Sequence, residues 1–338
     1  MRNGKRMTLA DVAERAGTTV PTASKVLGGR SDVSSETRAR VMRAVTELGY
    51  RGRSGRGPVP RGDSPALVDL VLSGVEGAWA NRALSGVEHA ASAAGVDIVV
   101  SVARKPDEGW LTRLLERKLR GAVLALVDVT AEQFAMLDAA QVPVVLLDPV
   151  TQPPKTVASV GASNWAGGHA AAEHLLSLGH RRFAVIGGDP RHLYTRARID
   201  GFRSAVIPAG AELPENQIVH TGWCRADSSK AAIALLAAAA PPTAIFACTD
   251  AVAAGVYDAA ESLGLRIPGD VSVVGFDDLP EAAWLRPALT TLHQPIVEMG
   301  EAALRMLLRI MADPPPVALR EELATRLVVR ESTAHLKA

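Results

Sequence analysis

Short apolar segments alternate with helical ones over residues 66–330, and this alternation leaves few folds open to the chain. The apolar segments predicted to be strands are residues 66–73, 96–102, 121–127, 143–147, 157–160, 183–187, 244–248 and 271–275. The segments between them have helical periodicity or are rich in alanine. Strands separated by helices of about 10–15 residues imply right-handed βαβ crossovers and parallel sheets. The number of strands, about ten in all, predicts two similar halves rather than one sheet.

Residues 8–50 have a different pattern, which predicts three short helices. Thr8 and Asp11 form a capping-box pattern before the first apolar stripe. Thr19 stands where it can cap the second helix, and Ser34 or Ser35 where one of them can cap the third. Two helices joined by a tight turn and followed by a third form a helix-turn-helix pattern, in which the second helix enters the DNA major groove.

The distribution of charge supports a polyanion partner for this N-terminal segment. The net charge of the chain is only +1, but residues 1–62 contain 13 Lys/Arg and 5 Asp/Glu, so the remainder is acidic. Thr19, Thr22, Ser24 and Lys25 are compact hydrogen-bond donors that the apolar stripe of the second helix does not use. The alternative is a three-helix bundle with a solvated basic face.

Three stretches of this segment together resemble the LacI/GalR family of bacterial transcription regulators. They are residues 8–27 (TLADVAERAGTTVPTASKVL), 33–38 (VSSETR) and 44–50 (AVTELGY). The resemblance implies that Val20 and Pro21 are the main sequence-reading pair and that Ser34 and Tyr50 contact the DNA backbone. The predicted DNA-binding residues are Thr8, Thr19, Val20, Pro21, Thr22, Ser24, Lys25, Arg30, Ser34, Tyr50, Arg53, Arg56 and Val59.

The linker at residues 53–65 departs from the family pattern. The family usually has a hinge helix there, with a leucine that enters the minor groove and kinks the DNA. Val59 falls at the leucine's place, between two prolines. Because Gly costs a helix about 1 kcal/mol and an interior Pro about 3 kcal/mol, we do not expect the usual leucine wedge. Arg53 and Arg56 could instead follow the DNA backbone or enter the groove as part of a flexible arm.

The rest of the chain also resembles this family, with the type I periplasmic-binding-protein fold. The supporting stretches are residues 164–169 (NWAGGH), 196–202 (RARIDGF), 249–255 (TDAVAAG) and 264–278 (GLRIPGDVSVVGFDD). The resemblance implies an α/β domain of two Rossmann-like lobes joined by three crossovers, with a ligand in the cleft. The expected divisions are a helix-turn-helix domain (1–52), the linker (53–65), an effector domain (66–332) and a tail (333–338). Within the effector domain we expect an N-lobe at about 66–162 plus 293–318 and a C-lobe at about 163–292 plus 319–332.

Polar residues at strand ends predict where the effector binds, because open α/β sheets bind ligands at the carboxyl ends of their strands. Recognition of a sugar needs fixed polar groups and an aromatic face. Trp165 is the better stacking candidate, whereas Trp79 has the alternative of a packed loop aromatic and Asp250 that of a helix N-cap. By their chemistry and by the resemblance to the family's ligand-binding positions, the predicted effector-binding residues are Ser73, Trp79, Asp148, Trp165, Arg198, Asp250 and Asp277.

Other functional classes are less consistent with the sequence. His169 and His174 do not have the spacing of a helical zinc pair, and neither a nucleophile elbow nor a Walker-type loop occurs. We therefore expect no enzyme activity, metal or cofactor. The body alone would suit a solute-binding receptor for sugar transport. The DNA-binding segment and the absence of an apolar stretch after the basic N-terminus argue against that role, and two cysteines in 338 residues indicate a reducing compartment.

The sequence therefore predicts a cytoplasmic, sugar-responsive regulator, most simply a repressor of a carbohydrate-utilisation operon. We expect a homodimer on an inverted-repeat operator in double-stranded DNA, because one three-helix module contacts few bases. The C-terminal tail lacks a long leucine heptad, so a tetramer is not expected. Residues 160–168 look most like actinobacterial regulators that sense plant oligosaccharides, which points to a cello- or xylo-oligosaccharide or another β-glycoside. A nucleoside effector is the main alternative.

Overall fold

The structure is a computed structural model that describes residues 7–27, 33–48, 50, 66–104, 109–117, 119–313 and 319–336. Four of the predicted DNA-binding residues, Arg30, Arg53, Arg56 and Val59, lie outside these ranges, as does all of the 53–65 linker. Among the described residues, none of the helices combines the length and the apolar character that a membrane crossing would require.

The N-terminal domain contains three helices, which are α1 (Leu9–Arg15), α2 (Val20–Leu27) and α3 (Ser35–Leu48). The predicted capping box is present: the Asp11 amide donates to the Thr8 hydroxyl (3.3 Å), and the Thr8 amide donates to the Asp11 carboxylate (2.6 Å). The Thr19 hydroxyl accepts from the Thr22 amide at the start of α2, and Ser34 caps α3 in the same way. The helices share a small apolar core made by Val12, Ala13, Ala16, Ala23, Val26, Val41, Met42, Ala44, Val45 and Tyr50.

The N-lobe is built on a six-stranded parallel sheet with the order β11-β5-β4-β3-β1-β2. Its strands are β1 (Ala66–Leu72), β2 (Val96–Val102), β3 (Ala122–Ala125), β4 (Val144–Leu147), β5 (Ala158–Ala162) and β11 (Arg320–Leu323). Helices α4 (Ala78–Ala94) and α12 (Ile296–Ala312) cover one face, and α5 (Gly109–Arg117) and α6 (Ala131–Ala139) cover the other. The central strands β3 and β4 are therefore buried on both faces, as their apolar sequences predict.

The C-lobe repeats this arrangement with the strand order β12-β10-β9-β8-β6-β7. Its strands are β6 (Phe183–Gly187), β7 (Ile218–His220), β8 (Ala244–Ala247), β9 (Ser272–Asp277), β10 (Thr290–His293) and β12 (Arg326–Val328), of which β12 is antiparallel. Its helices are α7 (Asn164–Ser177), α8 (Leu193–Val206), α9 (Arg225–Leu236), α10 (Asp250–Ser262) and α11 (Pro280–Trp284). Helices α7 and α8 cover one face, and α9 and α10 cover the other.

The chain passes between the lobes three times: after β5, after β10 and after β11. The third passage differs from the expected boundary, which assigned residues 319–332 to the C-lobe. Residues 320–323 instead pair in parallel with β5 of the N-lobe, and only β12 joins the C-lobe sheet. The expectation is wrong here because the segment's sequence, REEL, is mostly charged and exposed, so it lacks the apolar signal of the central strands.

Candidate effector cleft and DNA-binding face

A cleft of about 930 Å³ lies between the lobes, where the strands of both sheets reach their carboxyl ends. The N-lobe contributes residues that follow β1, β3 and β4, and the C-lobe contributes residues at or after the ends of β6, β7, β8 and β9. This is the position at which doubly wound sheets bind ligands, because the loops of neighbouring parallel strands converge there. Five predicted effector-binding residues line the cleft: Ser73, Trp79, Asp148, Arg198 and Asp277.

Arg198 is the buried centre of the site, with 2% of its surface exposed. Its guanidinium donates to the Asn164 side-chain oxygen (2.8 Å), the Cys248 carbonyl (2.5 Å) and the Gln294 side-chain oxygen (3.3 Å). It also lies 3.4 Å from an Asp277 carboxylate oxygen. Its Cζ atom is 3.7 Å from the centroid of the Phe276 ring, a cation–π contact. These acceptors compensate for removing the charge from water and fix the orientation of the planar fork.

Two carboxylates flank this guanidinium from opposite lobes. Asp148 follows β4 and Asp277 ends β9, and both have positive φ angles, of 51° and 108°. Such backbone conformations are costly for residues other than glycine and are concentrated at functional sites. Burial raises the pKa of both groups, that of Asp277 to about 7, although the nearby Arg198 acts in the opposite direction. The Asp277 side chain can therefore accept a hydrogen bond from a ligand as a carboxylate or donate one as a carboxylic acid, according to pH.

The aromatic residues of the cleft include four that are not among the residues predicted from the sequence: Trp110, His192, Tyr194 and Trp223. The rings of Tyr194 and Trp223 have centroids 5.7 Å apart, and the Tyr194 hydroxyl lies 2.8 Å from Nδ1 of His192. Trp223 follows the three-residue strand β7, which is not among the strands predicted from the sequence. The local sequence therefore does not indicate that Trp223 lies at the end of a strand. These rings offer flat apolar faces beside the polar groups of the site.

Trp165 is the predicted stacking residue, and the structure contradicts this. Its side chain is half exposed and lies on the ring of His169, with centroids 5.3 Å apart, and it does not line the cleft. The preceding residue, Asn164, is the one that turns inward to Arg198. Because successive residues of an α-helix are rotated by about 100°, the side chain that follows Asn164 is directed away from the cleft.

Asp250 also lies outside the cleft lining and has an internal role. Its carboxylate accepts hydrogen bonds from the Leu279 amide (2.7 Å) and the Thr291 hydroxyl (2.6 Å), and the residue is 2% exposed. Burial raises the pKa of this carboxyl well above its usual value. The N-cap of α10 is Thr249, whose hydroxyl accepts from the Val252 amide (3.1 Å). Asp250 therefore anchors the segment after β9 rather than serving as a cap or facing a ligand.

The predicted DNA-reading residues form an exposed face on α2. Val20, Pro21, Ser24 and Lys25 are exposed, whereas Ala23 and Val26 on the opposite side are buried in the three-helix core. An exposed valine, with 43% of its surface accessible, lies at the start of the helix. The first turn of the second helix is the part that reaches base edges in helix-turn-helix proteins.

The remaining described residues predicted to contact DNA are Thr8, Thr19, Thr22, Ser34 and Tyr50. Thr22 is half-buried, and its hydroxyl is hydrogen-bonded to that of Thr19 (2.9 Å). Thr8, Thr19 and Ser34 are helix caps, whose hydroxyls already accept amide hydrogen bonds. Tyr50 is largely buried, because only 7% of its surface is exposed and it packs in the three-helix core, so its contact with the DNA backbone stays a prediction. The residue lies just beyond α3, and its amide donates to the Val45 carbonyl (3.1 Å), so the chain folds back and buries the ring.

The cleft combines charged, polar and aromatic groups of a kind that suits a small polyhydroxylated ligand. Its lining contains four acidic residues (Glu76, Asp128, Asp148 and Asp277) and two arginines (Arg104 and Arg198). Within the described part of the chain, no cluster of three metal-ligating side chains is found. The arrangement can orient hydroxyl groups by hydrogen bonds and hold a ring between flat apolar faces.

Comparison with known proteins agrees with both domains. Residues 8–52 match the family described as "Bacterial regulatory proteins, lacI family", and residues 172–333 match "Periplasmic binding protein-like domain". The chain is 30% identical over 337 residues to the HTH-type transcriptional regulator DegA of Bacillus subtilis, covering 98% of this chain and 99% of that protein. It is 31% identical to the ribose operon repressor of Halalkalibacterium halodurans, covering 96% and 97% of the two chains.

Two solved structures extend this likeness to three dimensions. A transcriptional regulator CelR–cellobiose complex has a TM-score of 0.76 and 31% identity, covering 97% of this chain and 100% of that one. The Lac repressor dimer bound to operator and the anti-inducer ONPF has a TM-score of 0.72 and 26% identity, covering 98% and 100%. The relatives are transcriptional regulators rather than enzymes. With its three-helix DNA-binding domain and its two-lobed α/β domain, the chain belongs to the LacI family of bacterial regulatory proteins.

Proposed function

We propose that this regulator represses a carbohydrate-utilisation operon in the cytoplasm and is released from DNA by a neutral saccharide bound in the interlobe cleft. The observation that carries the proposal is the combination of flat aromatic faces with buried, oriented polar groups in that cleft. Trp79, Trp110 and Trp223 line it together with Asp148 and Asp277. Paired polar groups recognise sugar hydroxyls, and aromatic rings contact the C–H face of a sugar ring.

The charges of the cleft favour a neutral effector over an anionic one. Acidic lining residues outnumber the arginines, and the guanidinium of Arg198 is already engaged by protein acceptors. A phosphate or carboxylate would therefore find Arg198 already engaged and only Arg104 as a second cation, in a cleft that also contains four acidic residues. A β-linked disaccharide of glucose or xylose is our first candidate. The likeness to a regulator solved with cellobiose, at 31% identity, supports this choice.

We further propose that two copies of the chain bind an inverted repeat. A single recognition helix contacts only a few base pairs, and a two-fold dimer doubles the site that is read. The Lac repressor structure, which this chain resembles along 98% of its length, is a dimer on its operator.

Thermal-shift screening tests the effector proposal directly. The purified chain is heated with cellobiose, xylobiose, ribose, adenosine and glucose 6-phosphate, each in excess. A neutral saccharide should raise the melting temperature, because a ligand that binds only the folded state stabilises it. Stabilisation by adenosine alone would favour the nucleoside alternative, and stabilisation by the sugar phosphate alone would contradict a neutral effector.

The DNA-binding part of the proposal needs a separate measurement. Sites selected from genomic DNA by the purified protein should contain an inverted repeat near carbohydrate genes. Adding the stabilising sugar should release the protein from these sites in a gel-shift or anisotropy titration. Failure of every stabilising sugar to change operator affinity would rule out a sugar-released repressor.

A further inference from the structure

Gln294 is a buried polar residue that contacts charged groups of both lobes. Asn164 does so as well, since its side chain accepts from Arg198 and is hydrogen-bonded to Asp148. Gln294 differs from Asn164 in lying in a passage of the chain between the lobes. It lies between β10 and α12, in the second passage of the chain between the lobes, and is fully buried. Its side-chain amide donates to the Asp148 carboxylate at 3.0 Å, and its side-chain oxygen accepts from Arg198 at 3.3 Å. Asp148 follows a strand of the N-lobe, and Arg198 lies on α8 of the C-lobe.

The backbone of the same residue is also held by the site. The Gln294 amide donates to the Asp277 carbonyl (3.3 Å), and the Gln294 carbonyl accepts from the Ile296 amide (2.8 Å). Gln294 is not part of the cleft lining, whereas Asp148, Arg198 and Asp277 are. Its contacts therefore lie one layer behind the groups that face a ligand.

A carboxamide satisfies both neighbours in this arrangement. Asp148 requires a donor and Arg198 requires an acceptor, and a glutamine presents one of each from the same planar group. A glutamate at this position would direct an oxygen at the Asp148 carboxylate. A methionine would leave both charged neighbours without this partner in a buried environment, where unpaired charges are costly.

We propose that Gln294 is a positioning residue that ties Asp148 of the N-lobe to Arg198 of the C-lobe and thereby sets the relative orientation of the lobes. A rotation of one lobe must stretch one of the two hydrogen bonds, because they leave opposite ends of one rigid amide. A ligand that binds Asp148 or Arg198 competes with or alters the hydrogen bonds that these residues make with Gln294. This consequence for effector response rests on the proposed function, but the tie itself does not.

The tie can be tested without any effector by measuring the distance between the lobes. In the full-length chain with Cys224→Ser, spin labels are attached at Glu132→Cys on α6 and Lys230→Cys on α9, both positions lying on the outer helices of different lobes. The remaining cysteine, Cys248, is buried. Pulsed electron resonance on labelled protein diluted with unlabelled protein then reports distances within single chains.

Two substitutions separate the tie from simple packing. Gln294→Met, of similar size, should broaden or shift the distance distribution, while Gln217→Met should not, although Gln217 also has a buried side-chain oxygen. Gln294→Glu should shift the distribution at about pH 8 and restore it at about pH 5, because protonation replaces the lost donor. Circular dichroism verifies that each variant is folded.

Other titrating groups must be controlled in this pH comparison. Asp148, Arg198 and Asp277 contact Gln294, and its chain neighbour His293 is hydrogen-bonded to Asp278. Burial raises the pKa of Asp148 and Asp277. The unsubstituted glutamine protein is therefore measured at both pH values, and only the additional change in Gln294→Glu is counted. An unchanged distribution in folded Gln294→Met, or no reversal on acidification of Gln294→Glu, would overturn the proposal. Neither result would bear on the thermal-shift test of the saccharide.

Discussion

At the scale of single residues, the cleft is organised around a buried guanidinium. Arg198 is held by acceptors from α7, the end of β8 and the segment after β10. Buried charges are tolerated only with such partners, so the side chains that fix Arg198 also limit what a ligand can do to it. Asp148 and Asp277 then determine the electrostatic character of the cleft.

Asp277→Asn should stabilise the protein increasingly as the pH rises from about 4 to about 7. Burial raises the pKa of Asp277 to about 7 in the folded state from its ordinary value of 3.8, so the folded state retains a proton that the unfolded chain releases. The stability contributed by this group is present below the unfolded pKa and is lost as the pH rises through the folded pKa. Melting temperatures of both proteins across this range measure the effect.

Asp189→Asn is the control with the opposite sign. The side chain of Arg191 lowers the pKa of Asp189, so this carboxylate stabilises the fold above its ordinary pKa and loses that contribution as the pH falls. The melting temperature of the Asp189→Asn variant should equal that of the unsubstituted protein at acid pH. At neutral pH it should be equal or lower. A pH-independent difference for Asp277→Asn would show that Asp277 does not carry the raised pKa.

Trp223→Phe should remove most of the fluorescence change that accompanies sugar binding. Trp223 lines the cleft, whereas Trp165 is half exposed and stacks on His169 outside it. Titration with a saccharide that passes the thermal-shift screen gives the signal, and Trp165→Phe is the matched control that should retain it. Loss of the fluorescence change in Trp165→Phe but not in Trp223→Phe would show that Trp165 is the tryptophan that contacts the sugar.

Lys25→Ala should weaken operator binding without affecting sugar binding, because Lys25 is on the exposed face of α2. If Lys25 contacts a base, its loss should cost about 1–3 kcal/mol of discrimination at one base pair. If it contacts a phosphate, the slope of the logarithm of the binding constant against the logarithm of salt concentration should fall in magnitude by about 1. Binding to a selected operator at several salt concentrations separates the two. Lys230→Ala, an exposed lysine of α9, should leave the operator affinity unchanged.

At the scale of elements, the contact of α7 with α8 positions the site. A methyl group on Gly168 would overlap the carbonyl oxygen of Arg198, and one on Gly201 would overlap that of Trp165. The two helices therefore approach as closely as their backbones allow. Asn164 at the start of α7 can reach Arg198 on α8 only because of this close approach.

Gly168→Ala should destabilise the protein by about 1–3 kcal/mol, the usual cost of overpacking a tight interior contact. Because the overlap falls on the backbone of Arg198, saccharide affinity should fall as well. Denaturant unfolding and a binding titration measure the two effects. Gly74→Ala is the control, since a methyl group there would meet no atom within 4 Å. Equal stability of the two variants would mean that α7 and α8 tolerate separation.

At the scale of the whole molecule, the two lobes have equivalent strand orders. Hydrogen bonds beside the cleft connect them. The Leu193 amide of the C-lobe donates to the Val150 carbonyl of the N-lobe (2.9 Å), and Gln294 connects the charged groups behind it. An effector that binds between the lobes can therefore alter these interlobe hydrogen bonds. Coupling between effector and operator then requires that these contacts differ between the bound and the released protein.

The saccharide should reduce operator affinity by a factor of about 5–150, and the operator should reduce saccharide affinity by the same factor. This reciprocity follows from linkage and is independent of the structural details. Calorimetric titration of the sugar into free protein and into the protein–operator complex gives both constants. A lowering of one affinity without the other would show that the two sites are not in equilibrium with a common conformational change.

The sequence alone was sufficient for the features that depend on local pattern. Short-range spacing and hydropathy predict the capping box at Thr8 and Asp11, the exposed face of α2 and the central strands. The positions of Asp148 and Asp277 at the cleft were also predictable, because strand ends in a parallel sheet converge on one edge. Two lobes followed from the number of strands, and the equivalent strand orders of the two sheets agree with that expectation.

How residues that are distant in sequence meet depended instead on the tertiary fold. The fold turned Trp165 outward and placed Trp223 and Tyr194 at the cleft, because helix rotation and a short unpredicted strand determine those directions. It assigned Asp250 to an internal anchor through partners about 30 and 40 residues away in the chain, a separation over which local patterns carry no information. It also placed Gln294 between the lobes, where its amide satisfies two opposite charges that the sequence holds far apart.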